Sequence, residues 1–350
     1  MAYGTVNADV IGTSVTGSNL GAGNASIMKN RLINGAMVID QRNAGASVTN
    51  TAGSVFAVDR WDAYGSQASK FTIQQNAGSV TPPAGYKNYV GVTSSSAYSV
   101  LAADEFALSQ KIEGYNVADL DFGTANAKTV TLSFWVRSSL TGSFGGNIAN
   151  GALTRAYPFS FTISSANTWE QKTITVAGDT TGTWLTTNGI GLFVRFGLGV
   201  GTTYGSGTAG AWTGTYADVP TGSVSVVGTS GATFYITGVQ LEVGSSATGF
   251  EYRQYGQELA LCQRYFEIGG IFAFVGNVTT GNNYAARMTF KVTKRATPTL
   301  VYGDSANSGF PAGSAVDSTP DVNAYGAYKS CNATTTAGYW WATSTASAEL

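Results

Sequence analysis

The sequence predicts an all-β protein: a jelly-roll β-sandwich, then a smaller C-terminal β domain, with an extended N-terminal arm. Three observations carry this. Charged residues make up 11% of the 350 residues, against about 25% in an average domain, so the Lys and Glu that furnish amphipathic helices are scarce. Thr, Val, Tyr, Phe and Trp, which fit a pleated surface, are abundant, and 45 glycines punctuate the chain. Short stretches bounded by turn residues alternate apolar and polar side chains.

Residues 1–30 are small and polar, with no period that buries a face, and read as an arm ordered by another chain. Leu32–Ile39 reads as a first strand and Val55–Tyr64 as a second, with Phe56, Val58 and Trp61 inward. Lys70–Gln74, Tyr89–Val100 and Phe106–Ile112 follow, separated by Asn76-Ala77-Gly78 and the exposed loop Pro82-Pro83-Ala84-Gly85. Val117–Leu120 reads as one helical turn. Thr129–Arg137 alternates cleanly: Val130, Leu132, Phe134 and Val136 face one way, and Trp135 lies on the polar side. Phe159–Ile163, Trp169–Val176, Ile190–Phe196 and Thr233–Val243 complete the set, with a glycine-rich loop over Gly197–Gly214. The sandwich is thus expected over 31–253.

A helical period appears at Tyr255–Phe266, with Leu259, Cys262 and Phe266 inward and Glu258, Gln263 and Arg264 outward, so 254–266 reads as a connector. Residues 267–350 then form the small β domain, opened by Ile268–Val275 and Tyr284–Val292. Trp340 and Trp341 are adjacent in its last strand, so they face opposite ways.

The chain contains no histidine. A Ser-His-Asp or Cys-His mechanism is therefore impossible within it, and the usual imidazole metal sites are removed. No enzymatic activity and no cofactor are expected. The remaining catalytic option is a carboxylate pair, for which Asp104-Glu105 and Asp59 with Asp62 are the candidates. Gly205-Ser206-Gly207-Thr208-Ala209-Gly210 matches a dinucleotide fingerprint, but Ala211-Trp212-Thr213-Gly214 cannot open the helix that such a site needs. A net charge of −1 gives no field for nucleic acid. Arg287, Lys291, Lys294 and Arg295 read as the charged solvent side of a strand whose other face carries Met288, Phe290 and Val292. No apolar run of transmembrane length occurs, and no basic segment followed by an apolar run opens the sequence, so neither membrane insertion nor a secretory signal is expected. Cys262 and Cys331 read as free thiols.

Aromatic rings in polar loops can serve as platforms for sugar rings or partner side chains. Tyr204, Trp212 and Tyr216 in the glycine-rich loop, with Trp184 near a Gly-Thr turn, are the candidate ligand-binding residues. The competing reading packs them over the open end of their own sandwich.

Six segments together resemble the carbohydrate-binding-module-like jelly rolls of phage tail fibre and virion structural proteins. They are Asn30–Met37 with Asp40-Gln41-Arg42; Val58-Asp59-Arg60-Trp61; Phe134-Trp135-Val136-Arg137; Phe234–Gly244; Thr248–Arg253 with Glu258-Leu259 and Cys262–Phe266; and Lys291–Pro298 with Ala348-Glu349-Leu350. The resemblance implies a virion structural protein, homotrimeric, attached to other virion proteins through residues 1–30. Its function would be adhesion as a tail fibre or receptor-binding protein, with a host cell-surface glycan as partner. Capsid decoration is the alternative reading, and polysaccharide depolymerisation the next. Related modules place a calcium-binding acidic residue just before the Val-Gln-Leu-Glu segment, where this chain has Thr237-Gly238.

Overall fold

The computed structural model describes residues 28–312, 316–317 and 320–350. The expected arm therefore lies mostly outside the described residues. Twelve strands build the sandwich: β1 (Val48–Thr49), β2 (Gly53–Val58), β3 (Trp61–Gly65), β4 (Phe71–Gln75), β5 (Val90–Ser94), β6 (Glu105–Glu113), β7 (Val130–Ser138), β8 (Gly142–Asn150), β9 (Ala156–Ile163), β10 (Glu170–Val176), β11 (Ile190–Val200) and β12 (Thr233–Val243). They pair antiparallel in two six-stranded sheets, β1-β4-β5-β12-β7-β10 and β2-β3-β6-β11-β8-β9. This is the jelly-roll sandwich that the alternation predicts.

Alternation fixes the core. Val130, Leu132, Phe134 and Val136 are buried from one sheet, and Leu192, Val194, Phe196 and Leu198 from the other. Between them Phe134 meets Phe161 edge-on at 5.1 Å and Phe196 at 5.0 Å, geometry worth about 1 kcal/mol per pair beyond area burial.

Leu32–Ile39 is not a strand. Asn34 and Met37 sit at φ 57°, and the Asn34 side chain donates to the Ile39 and Asp59 carbonyls while accepting from Ile39 N. That side chain replaces a ladder partner, and the segment becomes a plug whose Leu32 and Met37 reach the core. Val55–Tyr64 is a hairpin rather than one strand. Arg60 at φ 71° turns it, and a bulge between Phe56 and Val58 rolls Phe56 outward under Arg42, whose guanidinium lies 4.4 Å from the ring. Tyr89–Val100 keeps strand pairing only through Ser94, whereas β11 runs on to Val200, so the glycine-rich loop begins at Gly201. Strand β8 has no counterpart in the sequence reading. Its Gly146 is required by close approach: a Cβ there would sit 2.2 Å from the Arg195 carbonyl.

The chain enters and leaves the sandwich at one place. Asn30 N donates to Glu251, Asn30 Nδ2 to the Val239 carbonyl, and Arg253 donates to the Asn30 carbonyl. Helix α1 (Tyr255–Gln263) follows. Cys262 points inward as expected, but Glu258 and Gln263 are also buried, contrary to the outward placement. Glu258 accepts from Asn34 N and from Arg253, so its charge is matched inside the contact.

The C-terminal unit has two three-stranded sheets: β13 (Phe266–Val278), β18 (Thr335–Ser347) and β15 (Thr299–Ser308); then β14 (Asn283–Thr289), β17 (Ala324–Ser330) and β16 (Val316–Asp317). Trp340 is fully buried between them and Trp341 is 39% exposed. The basic stretch is not a solvent-facing strand row: β14 ends at Thr289, Met288 is exposed, and Lys294 is fully buried, 2.6 Å from Glu267. Cys262 and Cys331 are both free and lie in different hydrophobic clusters.

Charge pairs join the two units. Arg264 and the Tyr265 hydroxyl both donate to Glu113. Glu349 accepts from Arg42 and Arg60, and Lys111 Nζ donates to the Leu350 carbonyl at 2.8 Å. Segment Ala348–Leu350 is thereby wedged against the sandwich.

Candidate functional site

Because Ala63, Leu108, Val194 and Ile148 point into the core, the residues one step away on β3, β6, β11 and β8 face outward. Asp62, Tyr64, Glu105, Ser109, Lys111, Phe193, Arg195 and Asn147 thus share the outer face of the second sheet. All of these but Asn147 line a groove of about 280 Å³, which also takes in Ser54 and Leu153.

Its polar groups are held in place. Asp62 accepts from Ser54 Oγ at 2.8 Å and Ser109 Oγ at 2.7 Å. Glu105 accepts from Arg195 and from the Tyr216 hydroxyl at 2.6 Å. Arg195 Nε lies 3.1 Å from Asp218, and the guanidinium is 5.8 Å from the ring centres of Tyr64 and Tyr216. Burial pulls Arg195 down, but Asp218, Tyr216 and Glu105 outweigh it and hold the cation above its ordinary value. Burial pushes the Asp218 carboxyl up; Arg195 opposes this and Glu105 adds to it. The Tyr216 phenol is raised, chiefly by burial.

The loop from Gly201 to Gly222 folds back over this face. Asp218 N donates to the Tyr204 carbonyl, Gly207 N to Val219, Gly210 N to Pro158 and Thr213 N to Ala156. Within it lies a second hollow of about 560 Å³, walled by Ser206, Thr208, Trp212, Thr213 and Thr215. Its walls carry hydroxyls, small side chains and one indole, and no charge.

The four aromatic candidates fall into two pairs. Trp184 and Trp212 meet edge-on at 5.5 Å, and both meet Phe122, at 4.8 and 5.9 Å. Their indole nitrogens donate to the Thr181 and Ala177 carbonyls. Both pack against the sandwich core, as the competing reading has it, while Trp212 also walls the loop hollow. Tyr204 and Tyr216 form the other pair at 5.5 Å, and Tyr216 reaches the groove through Glu105. The sequence reading missed Tyr64, Lys111, Asn147, Arg195 and Asp218. One signal was available: Arg195 interrupts the apolar run Ile190–Val200, and a charge there must face away from the core or be paired.

The candidate carboxylates are dispersed. Asp104 accepts from Ser66 and Tyr98, and Asp59 from Gln41. Only Asp62 and Glu105 share the groove. Asp62 pairs across from Ser109, four residues from Glu105, which is about 13 Å along the strand. Thr237, where the resemblance places a calcium-binding acid, donates its hydroxyl to the Asn88 carbonyl at 2.7 Å. Among the described residues, no group of three His, Cys, Asp or Glu is arranged to hold a metal ion.

No known protein family and no curated protein matches the chain. Among solved structures, the enzymatically active domain of bacteriophage CBA120 tailspike protein 4 is 10% identical, with a TM-score of 0.32, over 61% of this chain and 21% of that one. The family 11 carbohydrate-binding module of a Clostridium thermocellum cellulosomal cellulase is 12% identical, with a TM-score of 0.29, over 58% of this chain and 99% of that one. The N-terminal cellulose-binding domain of Cellulomonas fimi β-1,4-glucanase C is 13% identical, with a TM-score of 0.26, over 47% and 82%. The matched stretch spans about a fifth of the tailspike domain's own length. Likeness at this level says nothing of ligand or activity.

Proposed function

We propose that the chain is a non-catalytic adhesion protein of a phage particle, a tail fibre or receptor-binding protein, which holds a host-surface glycan on the outer face of the β2-β3-β6-β11-β8-β9 sheet. One observation carries the binding reading. The groove presents fixed donors and acceptors beside the Tyr64 ring, and the loop that carries Tyr216 to it also holds a hollow lined by hydroxyls and Trp212. Such a mixture of immobilised polar groups and aromatic surface suits a hydroxyl-rich, amphipathic ligand. The groove sets Asp62 and Glu105 against Arg195 and Lys111, and the hollow carries no charge, so the ligand is a neutral saccharide. The phage assignment rests on the sequence resemblance. Adhesion is favoured over hydrolysis because Asp62 and Glu105 are each already engaged by two donors.

Titration of the purified chain with host-surface polysaccharide, by calorimetry, tests this. Binding that Tyr64→Ala weakens at least tenfold, with no new reducing ends, is the expected result. Absence of binding overturns the adhesion reading, and release of reducing ends makes the protein a depolymerase.

The same proposal includes a homotrimer. In support, Ile268, Val301 and Trp341 stand 41%, 62% and 39% exposed on one face of the β13-β18-β15 sheet, around the charge-free Thr343 and Thr345. Mass photometry reporting a monomer at micromolar concentration would rule it out.

A further inference from the structure

One buried cluster fastens the Gly201–Gly222 loop to the sheet. Asp218 is fully buried. Its Oδ1 lies 3.1 Å from Arg195 Nε and 3.3 Å from Asn147 Nδ2. Its other oxygen, Oδ2, and Asn147 Oδ1 are also buried, and neither has a hydrogen-bond partner among the described residues. Two lone acceptors on side chains already in contact cost free energy, since each has given up water for nothing. A proton on Asp218 Oδ2 would make that oxygen a donor, and the Asn147 side chain, whose Nδ2 already lies 3.3 Å from Asp218 Oδ1, carries an unused acceptor.

The charges point the same way. Arg195 from β11 is the cation of the cluster. Facing it are Asp218 from the loop, Glu105 from β6 and Asp62 from β3, while Tyr216 donates to Glu105 and Tyr64 flanks the guanidinium. One guanidinium cannot fully neutralise three carboxylates, and the most enclosed of them, Asp218, takes up a proton.

We propose that Asp218 is a positioning residue held as the neutral acid, and that its proton, shared with Asn147, fastens the loop across the groove. This deepens the adhesion reading, because the fastened loop carries Tyr204, Trp212 and Tyr216. The upward displacement of the Asp218 carboxyl by burial is in accord with it. An acid that holds its proton more tightly folded than unfolded contributes stability at low pH, and that contribution is lost as pH rises through the folded value. The loop is therefore tightest in acid and loosens towards alkaline pH.

Hydrogen exchange of the full chain, corrected for intrinsic rates, reads this without any ligand. Protection at Asp218 N–H and Gly207 N–H is expected to fall at least tenfold between about pH 5 and about pH 9. In Asp218→Asn, whose amide copies the neutral acid, protection stays level across that range. Asn147→Leu, which removes both the acceptor and the Nδ2 donor to Asp218, displaces the wild-type fall along the pH axis. Wild-type protection that is level across the range, or an ionised Asp218 carboxylate seen by infrared spectroscopy at about pH 5, overturns the proposal even if neither variant folds. Failure to bind polysaccharide would sink the adhesion reading and leave this measurement untouched.

Discussion

The Arg60 guanidinium lies 3.6 Å above the centre of the Tyr265 ring, joining the first hairpin of the sandwich to the residue before β13. Arg60 also pairs with Glu349, 289 residues away in sequence, and both side chains are largely enclosed. Removing one partner strands the other's charge in a site with little water. Glu349→Ala is expected to cost about 3 kcal/mol. Differential scanning calorimetry should then split a single transition into two, as the two units lose the Arg42 and Arg60 pairs and keep the contacts on Glu113 and Lys111.

Asp59 supplies a pH dependence. Burial raises its carboxyl from 3.8 to about 6, against the opposing bond from Gln41 and the charge of Arg42. Because the folded value is the higher one, Asp59 favours folding below about pH 4, and that advantage fades as pH rises through about 6. The displacement corresponds to about 3 kcal/mol. Asp59→Asn should gain on the wild type by roughly this amount between about pH 4 and about pH 7, measured as the difference between two urea-melt series. A constant difference across that range would refute the assignment.

Gly238 occupies the bulge of β12 at φ +62°, and a Cβ there would lie 2.6 Å from the Tyr86 ring. Gly238→Ala combines left-handed strain with a clash and is expected to cost about 2 kcal/mol. Adding Tyr86→Ala removes the clash and leaves the strain, so the urea midpoint should recover only in part.

Trp212 has two duties that a mutation can separate. Trp212→Ala removes an edge-on neighbour of Trp184, Phe122 and Tyr157 together with the bond to Ala177, at an expected cost of about 2 kcal/mol. Trp212→Phe keeps most of the packing and loses the indole N–H. If the hollow binds saccharide, the Phe variant should bind nearly as well as the wild type while melting lower.

The sandwich was legible wherever side chains alternate, as in Val130–Arg137, because period two has one structural meaning on a half-buried sheet. It was hidden in β8, where glycines chosen for close backbone approach carry no hydrophobic signal. Leu32–Ile39 misled in the opposite sense. Its apolar residues are buried, but the Asn34 side chain ties the backbone into a turn that no periodicity reports. The groove was the least legible part. Asp62, Glu105, Arg195 and Asp218 come from three strands and a loop, and only antiparallel register brings them together. Lys294 shows the same limit, since a lysine in a basic stretch reads as solvated until its distant partner Glu267 is known.

The clasp among Asn30, Glu251 and Arg253 has a mechanical consequence. A pull delivered upstream of Asn30 and resisted downstream of Arg253 crosses between neighbouring residues, through a few side-chain bonds. The twelve strands hang beside that line of force rather than along it. Tension on the chain would open the clasp first and leave the groove-bearing sheet unloaded until the clasp has parted.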